Sequence, residues 1–431
     1  MQIKQEYETP HLTTALTGPL YLLEKQLLNK QQEIEQWFQK QWRLSPAPVY
    51  GSVDLRNSGF KLAPVDMNLF PAGFNNLNPA FFPLSSEAAK LAIHSIVPSA
   101  KKILIIPENH TRNIFYWENI NTLLRILEKA GFATALGSLS SDDSVQTEIP
   151  LKEGLLTMQS LSREADNIKV GDFIADAILL NNDLSEGIPA ILKGLSQPLL
   201  PPAELGWGHR LKSKHFQHYA NITEAFAELI EIDSWFIAPL FRQCGEIDFM
   251  RREGEDCLVE HIQQLLVEIK KKYQENAISY KPFVIVKADA GTYGMAVMTV
   301  RSAEEAMSFN RKQRTRMSKS KGGQPVQRVI IQEGIYTYET WGPNQAVAEP
   351  VVYLWGERVV GGFYRVHKDR GVDENLNAPG MHFEPLAFVK SCHLPKQYSE
   401  QDERQNRFYA YGVIARLSML AAARELLEQA Q

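Results

Sequence analysis

One stretch of the chain decides the fold: Phe283-Val-Ile-Val-Lys287-Ala-Asp-Ala-Gly291-Thr-Tyr-Gly294-Met-Ala-Val-Met-Thr-Val300. It contains an apolar strand that ends in a lysine, a glycine-bearing turn and a second apolar strand, so it predicts a hairpin. Glycines let a backbone approach a ligand and point N–H groups at it, and an ammonium beside such a turn suits phosphate oxygens. It is not a P-loop, because no Gly-Lys-Ser/Thr follows and the next element is a strand. Alone, the pattern fits a nucleotide-clamping loop and an ordinary flexible hairpin equally well.

Composition and charge are those of a globular protein. The 431 residues are 44% hydrophobic and 22% charged, with a formal net charge of -4, and such a length predicts roughly two to four domains. Nothing in these values indicates a nucleic-acid or membrane partner. We find no signal-peptide core and no run of about 18 apolar residues, so we expect a cytoplasmic protein. The oligomeric state stays open, a homo-oligomer included.

The spacing of the three cysteines bears on metal binding and on the redox state of the compartment. Cys244, Cys257 and Cys392 are widely spaced and form no CxxC pair. That spacing argues against a zinc site and against a disulfide framework. It fits a reducing cytoplasm.

Hydrophobic periodicity divides the chain into three expected parts. Residues 1–84 combine helices with a segment rich in Gly, Pro and Asn over 51–76, which we expect to be mostly loop and short strand. Residues 85–205 alternate buried strands with helices, one of them near 187–195, which predicts a parallel sheet and a Rossmann-like α/β domain. Residues 206–431 hold a helical stretch to 276, the hairpin, a helix over 303–316, mostly antiparallel strands and a C-terminal helix. This part is predicted to be α+β.

The order of motifs after the hairpin resembles the ATP-grasp ligases. A helix is followed by the strand Val329-Ile-Ile-Gln332-Glu333, then by two strands that carry Glu349 and Arg365, then by the loop Glu374-Asn375-Leu-Asn377-Ala-Pro-Gly380. This loop is similar to the N-x-x-x-G closing loop of glutathione synthetase, but neither asparagine has that spacing to the glycine. The resemblance implies that 85–205 is a pre-ATP-grasp domain and that 206–431 is the ATP-grasp domain.

Over its full length the chain resembles a small proteobacterial family of glutamate–cysteine ligases. The stretches that carry the resemblance most specifically are Gly51-Ser-Val-Asp54-Leu-Arg56-Asn57 and Asp66-Met-Asn68-Leu-Phe70-Pro-Ala-Gly73-Phe-Asn75-Asn76. The resemblance implies ATP-dependent joining of the L-glutamate γ-carboxylate to the amine of L-cysteine through an acyl phosphate, the first step of glutathione synthesis. Two alternatives stay open: another carboxylate–amine ligase of this fold, and a catalytically idle sensor of ATP or an amino acid.

The resemblance also implies roles for individual residues. Lys287 would touch the α- and β-phosphates and Arg365 would stabilise the acyl phosphate and the oxyanion, so these two are the expected catalytic residues. The other expected ATP ligands are Gly291, Thr292, Gly294, Gln332, Glu333 and, as a second lysine, Lys214. Mg²⁺ needs hard oxygen ligands, for which the candidates are Glu349, Asp373, Glu374, Asn375 and Asn377. Motif position favours Asn375, with Asn377 next.

The segment over 51–76 is the expected amino-acid site. An α-amino acid needs an acid for its ammonium and an arginine, which grips a carboxylate bidentately. Asp54 and Arg56 would share one face of an extended chain, and Asn57, Asn75 and Asn76 offer donors and acceptors. The other interpretation is an irregular stretch whose polar side chains satisfy its own turns.

Overall fold

A computed structural model describes residues 12–13, 19–108, 113–139, 147–291, 296–319, 323, 325–386 and 407–429. Thr292 and Gly294, two of the expected ATP ligands, lie outside these residues. The helices are α1 (Pro19–Asn29), α2 (Gln31–Leu44), α3 (Phe82–Ile96), α4 (Ile114–Lys129), α5 (Lys212–Ile230), α6 (Glu255–Glu275), α7 (Ala303–Met307), α8 (Arg311–Met317) and α9 (Arg407–Gln429). Within the described ranges, none of these helices has both the length and the apolar character needed to cross a membrane.

The strands divide among four sheets. In chain order they are β1 (Leu12–Thr13), β2 (Tyr50–Asn57), β3 (Leu62–Asn68), β4 (Lys102–Pro107), β5 (Ala133–Ser138), β6 (Thr147–Pro150), β7 (Leu155–Ser160), β8 (Ser162–Glu164), β9 (Asn167–Val170), β10 (Phe173–Ile174), β11 (Ala177–Asn181), β12 (Leu199–Leu200), β13 (Phe241–Cys244), β14 (Val284–Ala288), β15 (Val297–Val300), β16 (Val329–Glu333), β17 (Glu339–Trp341), β18 (Ala346–Trp355), β19 (Arg358–His367) and β20 (His382–Pro385). Three short strands, β8 to β10, form a small sheet of their own.

A six-stranded sheet forms the Rossmann-like part. Its order is β12-β11-β4-β5-β7-β6, parallel from β12 to β7 with β6 antiparallel at the edge. This confirms the parallel sheet that the alternation of strands and helices predicts. The helix expected near 187–195 is instead a single 3₁₀ turn, Ala190–Leu192. Pro189 precedes this turn, and Gly187 and Gly194 beside it adopt positive φ, so the segment cannot continue as an α-helix.

Two antiparallel sheets make up the rest of the β-structure. The four-stranded sheet has the order β13-β16-β14-β15 and contains the predicted hairpin as β14 and β15. The seven-stranded sheet runs β1-β17-β18-β19-β20, with β2 and β3 attached beside β18. The helical stretch expected up to residue 276 is two helices, α5 and α6, separated by β13, and the helix expected over 303–316 is two short helices, α7 and α8.

The N-terminal hairpin belongs to the large sheet. β2 pairs antiparallel with β18, with Asp54 opposite Val351, and β3 pairs with β2. The expectation of loop and short strand over 51–76 is therefore wrong for residues 50–68. Pro64 is accommodated because the register between β2 and β3 shifts next to it. Residues 50–68 and 346–367 share one sheet although the sequence placed them in different parts, and the bounds of the three parts stay a prediction.

The tip of this hairpin reaches the four-stranded sheet. Phe60 belongs to the hydrophobic cluster that fills the space between that sheet and α6. Its ring stacks on Trp235 with centroids 6.2 Å apart. Packing of this kind removes apolar surface from water and holds the two antiparallel sheets in a fixed relation.

The β18–β19 pair tests how tightly the large sheet is packed. A Cβ added at Gly362 would lie 2.3 Å from the Val351 carbonyl oxygen, which belongs to the backbone and cannot turn away. We expect Gly362→Ala to lower the free energy of unfolding by about 1–3 kcal/mol. The matched control is Gly245→Ala, since no described atom lies within 4 Å of a Cβ there. Equal melting temperatures for the two variants would show that β18 and β19 can move apart to accommodate the methyl group at little cost in stability.

Candidate active site

A cleft lies where the two larger antiparallel sheets meet. Its charged and amide side chains come from β2, β3, the start of α5, β14, β16, β18, β19 and the loop after β19. They are Asp54, Arg56, Asp66, Lys212, Lys287, Gln332, Glu333, Glu349, Arg365, Asn375 and Asn377. Four residues with cationic side chains and four with carboxylates thus line one cleft, which is the composition expected of a site that handles charged ligands.

Glu349 lies at the centre of the arginine pairs of this cleft. It is buried on β18, where one oxygen accepts from Arg56 Nε at 3.0 Å and the other from Arg365 Nη1 at 2.6 Å. The register places Arg365 directly opposite it on β19. Arg365 Nη1 also donates to Asp54 at 2.9 Å. A buried carboxylate is tolerated because it is paired twice in this way.

Two lysines lie on the other side of the cleft. Lys287, at the end of β14, donates from Nζ to the Val65 carbonyl oxygen at 2.7 Å and to Gln332 Oε1 at 2.6 Å. Lys212, the first residue of α5, donates to both oxygens of Asp66 at 2.8 and 3.0 Å. Because Val65 and Asp66 lie on β3, Lys287 joins the large sheet to the β14–β15 hairpin and Lys212 joins it to α5.

The charges of these groups are shifted by burial and by one another. Burial lowers the pKa of Lys287 to about 8, against the opposing effect of Asp66. Burial acts to raise the pKa of the Asp66 carboxyl, but Lys212 and Lys287 hold it below its usual range. Burial raises the pKa of Asp54, although Arg365 acts to lower it. Such shifts cluster at functional sites.

The backbone after β14 is fixed to α5. Asp289 accepts from the Ser213 N–H and Oγ, both at 2.7 Å, and its own carbonyl accepts from the Lys212 N–H at 2.8 Å. The Asp289 carboxylate thereby caps the first turn of α5. Gly291 follows with a φ of 103°, a conformation that side chains disfavour. The start of the glycine turn is therefore placed at the edge of the cleft.

The side chains of Gln332 and Glu333 differ in how fully they are hydrogen-bonded. The Glu333 carboxylate accepts from Lys61 Nζ at 2.7 Å, from the Leu240 N–H at 2.9 Å and from Trp235 Nε1 at 3.1 Å, so its side chain is fully engaged inside the protein. Its backbone N–H also donates, to the Leu240 carbonyl oxygen at 2.7 Å. Gln332 Oε1 accepts from Lys287, while its Nε2 is buried without a partner among the described residues.

A second buried donor of the cleft is also unpaired. Arg365 Nε has no hydrogen-bond partner in the described part of the chain. An unsatisfied buried donor costs roughly 1–3 kcal/mol. Gln332 Nε2 and Arg365 Nε are therefore the two donors in this cleft whose desolvation a bound anion or carbonyl group would offset.

The expected metal ligands separate into two groups. Glu349, Asn375 and Asn377 line the cleft. Asp373 does not line it and pairs instead with Arg301. Glu374 directs its carboxylate to the Gly371 N–H and to Arg370, while its carbonyl oxygen accepts from Arg56. The two asparagines are linked, since Asn375 Oδ1 accepts from the Asn377 N–H at 2.9 Å.

Four other expected site residues lie away from the cleft lining. Lys214 is exposed and pairs with Glu428 at 2.9 Å. Asn57 is buried, and its amide nitrogen donates to Glu339 and Tyr411. Asn75 and Asn76 lie on the 3₁₀ turn Phe74–Asn76 and contact each other. The structure therefore does not bring these four together with Lys287 and Arg365.

Comparison with known proteins decides the family. The family model for glutamate-cysteine ligase matches residues 24–426. The chain belongs to the glutamate–cysteine ligase family. Its members catalyse the ATP-dependent ligation of L-glutamate to L-cysteine, so the predicted family and enzyme class are confirmed, and neither alternative is favoured.

A solved structure agrees with this family membership. The "Putative gamma-glutamylcysteine synthetase" from Methylobacillus flagellatus KT is 53% identical, with a TM-score of 0.89, over 98% of this chain and 99% of that one. A D-alanyl-alanine synthetase A from Vibrio cholerae (10% identity, TM-score 0.30, 74% and 81% covered) and a glutathione synthetase-like effector from Globodera pallida (10%, 0.37, 85% and 80%) are too dissimilar to carry an argument. A search of curated proteins gave no match.

Sequence reasoning missed three side chains of this glutamate–cysteine ligase family member. Lys212 and Asp66 line the cleft, and Lys61 holds Glu333 from behind. Helical spacing was a signal for Lys212. Residues two apart on a helix face different sides, so Lys212 and Lys214 could not both face the cleft. Asp66 and Lys61 gave no local signal, since their roles depend on where β3 lies in the large sheet.

The buried Lys61–Glu333 ion pair allows a prediction of how much the free energy of unfolding depends on this wall of the cleft. Both side chains are almost fully buried. We expect Lys61→Met to lower the free energy of unfolding by about 3–5 kcal/mol, because it leaves an uncompensated buried carboxylate. The double variant Lys61→Met/Glu333→Gln should recover much of that loss. Thermal melting of the three proteins checks this, and a double variant no more stable than the single one would contradict it.

Proposed function

We propose that the cleft is the active site in which the γ-carboxylate of L-glutamate is phosphorylated by Mg-ATP and then attacked by the amine of L-cysteine. The observation that carries the proposal is that Lys287, Lys212 and Arg365 line one cleft beside Gly291. The Nε of Arg365 is buried there without a partner among the described residues. Phosphoryl transfer is catalysed mainly by positioning and by charge stabilisation, and this arrangement offers both.

The two lysines form the phosphate end of the site. Lys287 contacts Gln332 and Val65, and the backbone that follows it leads to Gly291. In our proposal Lys287 pairs with the α- and β-phosphates, and Lys212 takes the second position that the sequence gave to Lys214. Backbone N–H groups of the glycine turn cover the terminal phosphates, as in other glycine-rich anion sites. The adenine lies against the backbone of Gln332 and Glu333.

Arg365 forms the reacting end of the site. One of its nitrogens is held by Asp54 and Glu349, which fixes the guanidinium plane, while Nε has no partner among the described residues. We propose that Arg365 stabilises charge on the acyl phosphate and on the tetrahedral intermediate. Preorganised donors of this kind need no reorganisation during the reaction.

The amino acids occupy the space beside β2 and β3. Asp54 is suited to an ammonium group, because burial raises its pKa even beside Arg365, and a further cation would stabilise its negative charge. Arg56 is less suited than expected to grip a substrate carboxylate, since its three nitrogens donate to Glu349, the Ile335 carbonyl and the Glu374 carbonyl. We propose that Arg56 instead holds the loop after β19 in place. Asn57, Asn75 and Asn76 remain predictions without this support.

The chemistry of the cleft's donor set fits Mg²⁺. Carboxylate and amide oxygens of Asp54, Glu349, Asn375 and Asn377 share the cleft, and Mg²⁺ prefers hard oxygen ligands. We propose Glu349, Asn375 and Asn377 as the residues that hold the ion. When bound with ATP, Mg²⁺ would neutralise charge on the phosphate oxygens.

We further propose a cytoplasmic enzyme, while homo-oligomerisation remains a prediction.

Phosphate release from Mg-ATP tests the proposed function. Purified protein should release phosphate only when L-glutamate and L-cysteine are both present, and mass spectrometry should detect γ-glutamylcysteine. We expect Lys287→Met to reduce turnover about a hundredfold or more, the usual cost of removing one donor of a charge-stabilising site. Lys214→Met is the matched control, because Lys214 is exposed and outside the cleft, and its activity should be unchanged.

Two results would count against this proposal. Phosphate release that does not depend on both amino acids would reject the substrates. Equal turnover in the Lys287→Met and Lys214→Met variants would move the phosphate site elsewhere. Circular dichroism of both variants separates a loss of chemistry from a loss of folding.

The pKa of Lys287 predicts how nucleotide binding depends on pH. Its folded pKa of about 8 lies below the usual lysine value, so its positive charge is present below pH 8 and is lost as pH rises through that value. The Kd of a non-hydrolysable ATP analogue should therefore increase by up to about tenfold per unit above pH 8. Calorimetry at pH 7 to 9.5 checks this. Lys287→Arg, which stays charged, should show a flat profile, and the same slope in that variant would exclude Lys287 as the cause.

A further inference from the structure

Three soft metal-ligand side chains converge outside the cleft. Cys244 Sγ lies 2.9 Å from Cys257 Sγ and 3.1 Å from His261 Nδ1, and Cys257 Sγ lies 3.8 Å from the same nitrogen. Their potential ligand atoms all lie within 4.8 Å of one another. None of the three lines the cleft, and the proposed reaction uses none of them.

Secondary structure explains why these distant residues meet. Cys244 is the last residue of β13, the edge strand of the four-stranded sheet, while Cys257 and His261 lie in the first two turns of α6. Residues four apart on a helix share one face, so Cys257 and His261 point the same way, toward the strand end. The spacing of the cysteines along the chain does not prevent the three side chains from meeting, because one comes from a strand and two from a helix.

The exposure of the three side chains suits a partly open site. Cys244 is buried, His261 is half-buried and Cys257 is exposed. A tetrahedral cation held by three such ligands keeps a fourth position for water. The exposed side of the cluster provides room for that position. A disulfide between the two cysteines would use the two sulfurs alone and would leave the approach of His261 Nδ1 to both of them unexplained.

We propose that Cys244, Cys257 and His261 form a binding site for a borderline-soft divalent cation of the zinc class. Two thiolates and one imidazole are ligands that select zinc rather than Mg²⁺, so this site is chemically separate from the oxygen-lined cleft. Its cation would tie the start of α6 to the end of β13. Since β13 pairs with β16, which carries Gln332 and Glu333, the cation stabilises the sheet that holds one wall of the cleft.

Metal binding to reduced, metal-free protein tests this proposal directly. After Zn²⁺ is added in the presence of excess Mg²⁺ and unbound metal is removed by dialysis, we expect one Zn²⁺ per chain. Elemental mass spectrometry of the protein measures this zinc content. Co²⁺ in its place should give the absorption bands of a tetrahedral, thiolate-bound ion. Zn²⁺ should also raise the melting temperature, because the folded state binds it and the unfolded state does so less well.

Single variants identify the ligands. Cys257→Ser and His261→Ala change side chains that are exposed or half-buried, so both should fold, and each should weaken Zn²⁺ binding about a hundredfold or more. Cys392→Ser replaces the chain's third cysteine and is the matched control, with unchanged binding. Phosphate release should persist in all three variants, so that failure of this proposal is distinguishable from failure of the proposed function.

Specific results would overturn the inference. Reduced wild-type protein that takes up no stoichiometric Zn²⁺ would reject the site. So would His261→Ala with wild-type affinity, because the imidazole is what separates a cation site from a pair of thiols. Air-exposed protein that loses two hydrogens by mass, together with no Zn²⁺ uptake in the reduced form, would assign the two cysteines to a disulfide instead.

Discussion

The carboxylate of Glu349 is the group on which the architecture of the cleft depends. It lies buried in the seven-stranded sheet, between Arg56 on β2 and Arg365 on β19. A lone buried charge is strongly disfavoured, whereas one paired on both sides is tolerated. The three strands are therefore held in one register, in which Asp54 also reaches Arg365. The guanidinium of Arg365 is thereby fixed before any substrate arrives.

The two larger antiparallel sheets are joined by the lysines that face the cleft. Lys287 on β14 contacts the Val65 carbonyl and Lys212 on α5 contacts Asp66, so each lysine forms a bridge to β3. The tip of the same hairpin places Lys61 against Glu333. Residues far apart in sequence thus build one wall. The cleft is accordingly formed at an interface between sheets and not by the β14–β15 hairpin alone.

Local patterns in the sequence predicted several of the residues that line the cleft, and nonlocal pairing accounts for most of the lining residues that they missed. Lys287, Gln332, Glu349 and Arg365 were predicted because each lies on a strand whose order along the chain is characteristic. Lys212 was not among the predicted residues. Its place in the cleft depends on the start of α5, which Asp289, 77 positions later (289 minus 212), holds by hydrogen bonds. The strands of the N-terminal hairpin could not be predicted from Gly, Pro and Asn content, since their partner β18 is far away in sequence. The cysteine–histidine cluster is close in sequence, within 17 positions, and was missed because one of its residues lies at the end of a strand and the other two on the following helix.

The pairing of β2 with β18 has a consequence for how the protein is made. Asp54 and Val351 are neighbours in the sheet but 297 positions apart in the chain, 351 minus 54. At a synthesis rate of about 5–20 residues per second, β2 leaves the ribosome roughly 15–60 s before its partner. During that interval the edge of β2 that later pairs with β18 is open to wrong strand pairing. Assembly of the large sheet is therefore a late event on the nascent chain.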